Sequence, residues 1–156
     1  MKKFLFDCGT RDVTASVGLF ALRVMLGLMM LIGHGIYKIQ HFSDLKNSFY
    51  VPEFFPFHYM SPLVSLSACI VAEVLCSLMI IFGIATRHAA FILAFSMVVA
   101  AFAVKAQTPW FVLPPVYDTK ELAILYIIPL IAIIITGAGW ISMDAALYLE
   151  EKRRRW

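Results

Sequence analysis

The chain reads as an all-α integral membrane protein. The expected architecture is a four-helix bundle in N-in/C-in orientation, with a short C-terminal cytoplasmic interfacial helix. Composition, run length and the placement of basic residues lead there. Of 156 residues, 62% are apolar, against roughly 45–50% in a soluble domain. Only 15% are charged. One domain of this size has no interior large enough to hide so much apolar surface, so lipid is the expected solvent. The net charge of +3 does not signal nucleic acid, because the basic residues sit at chain ends and segment ends, as membrane topology requires.

Four runs are long enough to span a bilayer, each about 20 residues or slightly more. The first covers 14–37. The second, 61–84, follows Ser61-Pro62, and proline is tolerated in a first turn. The third, 87–107, follows the tight link GIATRHA. The fourth, 119–139, ends at GAG. Together they form one domain, 1–156. The opening MKKFLFDCGTRD lacks the long apolar core of a secretory signal, so the first run is expected to remain in the mature protein.

The linkers HFSDLKNSFYVPEFFPFHYMSP and TPWFVLPPVYDT are rich in aromatics and prolines. Two spans separate them, so they emerge on one side. They suit either an aromatic belt at the headgroups or a lid over a site. Lys2, Lys3, Arg11, Arg87, Lys152, Arg153, Arg154 and Arg155 mark one side; Lys38, Lys46, Lys105 and Lys120 mark the other. The richer side is the cytoplasmic one. The closing WISMDAALYLEEKRRRW reads as the interfacial helix, capped by Ser142, with Asp144 in its first turn and a basic end suited to anionic lipid.

Ionisable groups inside spans are costly and face the interior of a bundle. Arg23 and His34 are eleven residues apart and return to within about 20° of one face at 100° per residue. Lys38 lies about 40° further on, and Tyr37 is near the same stripe. On the second span, Ser65, Cys69, Glu73 and Cys76 share a face by spacings of four, four and three. Counting depth from each span's own end places Arg23 and Glu73 both near mid-membrane, where they are expected to pair. An unpaired charge there costs at least about 2.5–3.5 kcal/mol. Lys105 and Glu121 sit toward the outer end. His34 is flanked by Gly33 and Gly35, which allow close approach to its backbone. His34 and His41, seven apart, do not present the four-residue spacing that chelates a metal, and no metal is expected. The three cysteines form no CxxC pair; Cys69 and Cys76 lie about 10 Å apart along their helix, too far to bridge.

The segments LRVMLGLMMLIGHGIYK, AEVLCSLMIIFGIATR, KELAILYIIPLIAIIITGAG and WISMDAAL, in that order and spacing, resemble the DoxX family of small four-helix bacterial membrane proteins. The resemblance places the family's polar positions on Arg23, His34, Gly35, Lys38, Glu73, Arg87, Glu121 and Asp144. Lys105 stands where the family often has a histidine. A relative, DoxD, is the membrane subunit of an archaeal thiosulfate:quinone oxidoreductase, so the resemblance implies quinone-linked redox work in a bacterial cytoplasmic membrane. The expected ligand is a membrane quinone, held in an apolar slot open to lipid. His34, Glu73 and Arg23 are the expected catalytic set; Lys38, Tyr37, Lys105 and Glu121 are the expected substrate- or quinone-binding set. No flavin, haem or Fe–S motif is present in the sequence, so electrons would pass through a soluble or membrane redox partner subunit. Self-association into a homo-oligomer is left open, and nucleic acid is not an expected partner. Two other readings compete: a non-catalytic scaffold that recruits a redox partner, and a small transporter.

Overall fold

The computed structural model describes residues 12–52, 57–112, 114–116 and 118–147. Four long helices dominate: α1 (Val13–Gln40), α2 (Pro62–Phe82), α3 (Thr86–Val104) and α4 (Glu121–Thr136). The first three are long and apolar enough to cross a membrane. At 16 residues α4 is shorter than the expected fourth run, and at 1.5 Å per residue it spans about 24 Å. Asp12 starts α1 by accepting from Thr14 N and Ala15 N, and Ser61 starts α2 by accepting from Val64 N. Both side chains satisfy amides that the first turn leaves without partners.

Each helix packs on the next, with the α3–α4 contact the most extensive, and α4 also touches α1. The core is formed by Leu26, Met30, Ile80, Leu93, Leu130 and Ile133 among others. Ala89, Ala90, Ala94 and Ala123 are buried, and such small residues let helices approach closely where lipid, not water, surrounds them. The outward faces are as apolar as the inside: Phe91 is 64% exposed, Ile128 61% and Ile135 66%. A soluble monomer rarely carries continuous apolar surface of this kind. The helices are dressed for hydrocarbon.

Three of the helices contain a π-helical stretch: Leu31–Ile36 in α1, Val71–Leu75 in α2 and Ala100–Val104 in α3. A π turn closes i→i+5 bonds instead of i→i+4, so it takes up an extra residue and shifts the angular count of everything beyond it.

The close approach of α1 and α2 fixes their register. A Cβ on Gly27 would lie 2.5 Å from Ile81 Cγ1, and one on Gly35 would lie 2.8 Å from Val74 Cγ2. Arg23 is level with Gly83, in the turn between α2 and α3. The first ten residues of α1 therefore run past that turn, and the chain after α4 covers them. Trp140 N donates to Ser16 Oγ at 3.2 Å, and Arg23 donates to the Ile141 carbonyl at 2.5 Å. Ser142 caps the helical residues 143–147, accepting from Ala145 N at 3.1 Å. The remainder of the expected interfacial helix, the basic residues Lys152, Arg153, Arg154 and Arg155, and Cys8 lie outside the described residues.

Gly83 adopts φ +74°, and a Cβ there would meet Arg23 Nη1 at 2.2 Å and Ser142 Cβ at 2.6 Å. Gly83→Ala is expected to cost at least about 1–2 kcal/mol from the left-handed backbone alone. Thermal unfolding of the detergent-solubilised protein measures it, and an unchanged midpoint would mean that the turn relaxes without resistance.

Candidate functional site

The four helices and the long linker enclose a half-open cavity of about 450 Å³ at the linker end of the molecule. That volume lies within the range of small-molecule sites. The walls are mainly apolar, and three of the polar groups, Lys38, Cys69 and Glu73, touch one another. All three π stretches contribute to the lining, through His34, Glu73 and Ala100. Single π turns of this kind cluster at functional sites, because they re-aim side chains that an unbroken helix would point elsewhere.

Lys38 and Glu73 form an ion pair through Lys38 Nζ and Glu73 Oε1. Cys69 completes a triangle: its thiol donates to Glu73 Oε1 at 3.4 Å and accepts from Lys38 Nζ at 3.3 Å. Glu73 is 2% exposed, and its second oxygen, Oε2, has no hydrogen-bond partner among the described residues. From α1, His34 faces the same space, with its ring edge-on to Tyr126 of α4 at 5.7 Å between centroids. Lys105, at the end of α3, lines the cavity while bonding Asp118 at 2.5 Å and the Thr119 carbonyl at 3.1 Å.

The linker forms part of this wall. Phe49, Tyr50, Pro52 and Phe57 line the cavity. Ser65 Oγ pins the linker by donating to the Tyr50 carbonyl at 2.7 Å. The Phe57 ring rests against Phe95 of α3, 5.9 Å between centroids.

Of the residues expected from sequence to form a site, the structure brings together His34, Lys38, Glu73 and Lys105. It places the other three elsewhere. Arg23 is fully buried at the opposite end, level with the α2–α3 turn, about 15 Å along the axis from Glu73 by helix rise. The expected Arg23–Glu73 pair is thus replaced by Lys38–Glu73 and by Arg23 on the Ile141 carbonyl. The cause is twofold: α1 overhangs α2, so depths counted from each helix's own end do not match, and the π stretch between Arg23 and Lys38 breaks the 100° count. Tyr37 is exposed and stacks on His41. Glu121 accepts from Val112 N at 2.9 Å and steadies the second linker. Lys120 is buried, donating to the Ala106 carbonyl at 2.9 Å. Asp144 does more than favour its own helix: its carboxylate accepts from Ala85 N, Thr86 N and Thr86 Oγ1, at 2.8, 3.0 and 2.8 Å, and so caps α3.

Cys69 and Tyr126 also line the cavity, though neither is among the expected site residues. Cys69 lies one turn before Glu73, and that spacing was the available signal. Tyr126 was signalled only by being a hydroxyl-bearing ring within the apolar run ILYIIPLIAIII.

These features define a helical membrane protein with a polar-cornered cavity at one end. The model of the DoxX family matches residues 18–106, more than half of the chain and a span that includes His34, Lys38, Cys69, Glu73 and Lys105. The chain belongs to the DoxX family. No curated protein and no solved structure gives a significant match.

Proposed function

We propose that this protein is a quinone-linked oxidoreductase subunit of the bacterial cytoplasmic membrane, with its quinone head held in the cavity at the linker end. The four helices are all spans, with both termini in the cytoplasm and the cavity in the outer half. The distribution of lysine and arginine supports that orientation. The observation that carries the reading is the Lys38–Glu73–Cys69 triangle, with His34 beside it, in an otherwise apolar cavity.

A quinone head needs an apolar slot, a donor for its carbonyl oxygens and a route for protons. Ile92, Phe95 and Met97 give the slot its apolar wall. Lys38 has three N–H donors and gives two of them to Glu73 and Cys69, which leaves one for a ligand oxygen. His34 has two ring nitrogens, each able to donate or accept, which suits it to pass a proton. Glu73 is the base within reach. Electrons pass to or from a redox partner subunit that carries its own cofactor.

Anaerobic purification in detergent followed by extraction of total isoprenoid quinone, oxidised plus reduced, tests the reading. The wild-type protein is expected to retain quinone near stoichiometry, and His34→Ala and Glu73→Gln to lose most of it while remaining folded. Wild-type protein without quinone, but still able to capture a redox partner in both variants, would sink this reading and favour a scaffold.

A further inference from the structure

We infer that the cavity selects the reduced, hydroxyl-bearing form of its ligand: a hydroquinone over the corresponding quinone. This rests on the quinone reading above and goes further by fixing the redox state that binds more tightly.

Glu73 carries the inference. Its carboxylate is 2% exposed and forms part of the cavity wall. One oxygen, Oε1, is crowded, receiving both Lys38 Nζ and the Cys69 thiol. The other, Oε2, receives nothing from the described residues. A buried carboxylate oxygen without a donor is costly to leave that way. The last torsion of a glutamate is soft, so a modest turn offers Oε2 to the cavity while Lys38 keeps its charge beside the carboxylate.

The missing partner must be a donor. An ionised carboxylate only accepts. A quinone head, with two carbonyl oxygens, also only accepts, and set against Oε2 it would add repulsion. A hydroquinone hydroxyl donates to Oε2 and, through its lone pairs, accepts the remaining N–H of Lys38. One hydroxyl therefore satisfies both members of the ion pair. Apolar surroundings sharpen the choice, because an unpaired acceptor costs more in a medium of low dielectric. Sites built to bond a hydroxyl reject analogues that lack it far more strongly than apolar pockets reject a misfit in size.

The test compares three ligands of nearly equal shape: a short-chain benzohydroquinone, its dimethyl ether and the parent benzoquinone. Each is titrated anaerobically into the full-length protein in detergent by calorimetry, for wild type and Glu73→Gln. The three ligands partition differently into detergent, so each affinity is corrected for that ligand's separately measured partition. The hydroquinone is expected to bind wild type at least about tenfold more tightly than either the ether or the quinone. In Glu73→Gln the gap is expected to close through weaker hydroquinone binding, because the carboxylate that accepts its hydroxyl is gone. Equal affinity of wild type for quinone and hydroquinone would overturn this inference and leave the quinone site standing. Failure of all three ligands to bind wild type would overturn both. The wild-type comparison needs no variant, so a misfolded Glu73→Gln protein does not protect the inference.

Discussion

Lys38→Met is expected to destabilise the protein by about 3–5 kcal/mol, the cost of leaving a buried charge without its partner. Glu73 lies almost wholly out of solvent, and Lys38 is the cation bonded to it. The intact pair need not stabilise the fold, since removing two charges from water costs about what their attraction returns. Its loss by halves is what hurts. Lys38→Met/Glu73→Gln should therefore recover most of the stability lost in Lys38→Met, because no charge is then stranded. Thermal unfolding of both proteins in the same detergent decides the matter. A single variant as stable as wild type would show that the ion pair does not hold α1 to α2.

At the opposite end, Asp144→Ala is expected to cost about 2–4 kcal/mol, combining a lost helix cap with donors left buried and unmatched. Asp144 is 8% exposed and accepts three bonds at the start of α3. One of them comes from Ala85, held at φ +44°, a conformation that costs a residue with a Cβ about 1–2 kcal/mol. Without the carboxylate, nothing compensates that strain. Asp144→Asn keeps one oxygen acceptor and should lose about half as much. The pattern to look for is faster hydrogen exchange at Ala85 and Thr86 in Asp144→Ala than in wild type, with the cavity residues unchanged. Uniform loosening of all four helices would contradict a local capping role.

Much of the architecture can be read from residue order. The apolar runs locate the long helices to within a few residues at most ends, since 20 successive apolar side chains have no other economical fate. Ser61-Pro62 announces the start of α2, and the structure uses the serine as a cap. Glycine at positions 27 and 35 marks where α1 approaches α2 closely. The fourth helix also falls within a few residues of its expected ends: α4 stops at Thr136, and the following glycines begin an irregular segment that returns to cover α1.

The site was half legible. His34, Lys38, Glu73 and Lys105 stand out because ionisable groups within apolar runs must face something other than lipid. Their partners were not legible. Pairing Arg23 with Glu73 assumed helices that start in one plane and turn evenly, and α1 does neither. It overhangs α2 by about ten residues, and its turn widens at Leu31–Ile36. No local sequence pattern announces this π turn, so the count beyond it could not be read from residue order.

Sequence by itself thus determined the solvent of this protein, the number of long helices and which charges had to be sheltered, because each follows from the cost of placing a residue in hydrocarbon. Tertiary structure alone decided that Glu73 meets Lys38, that Arg23 serves the far end, and that Asp144 caps a helix nearly sixty residues away. Those choices depend on helix register and phase, which are set by how side chains on different helices interlock and are not encoded in any one segment.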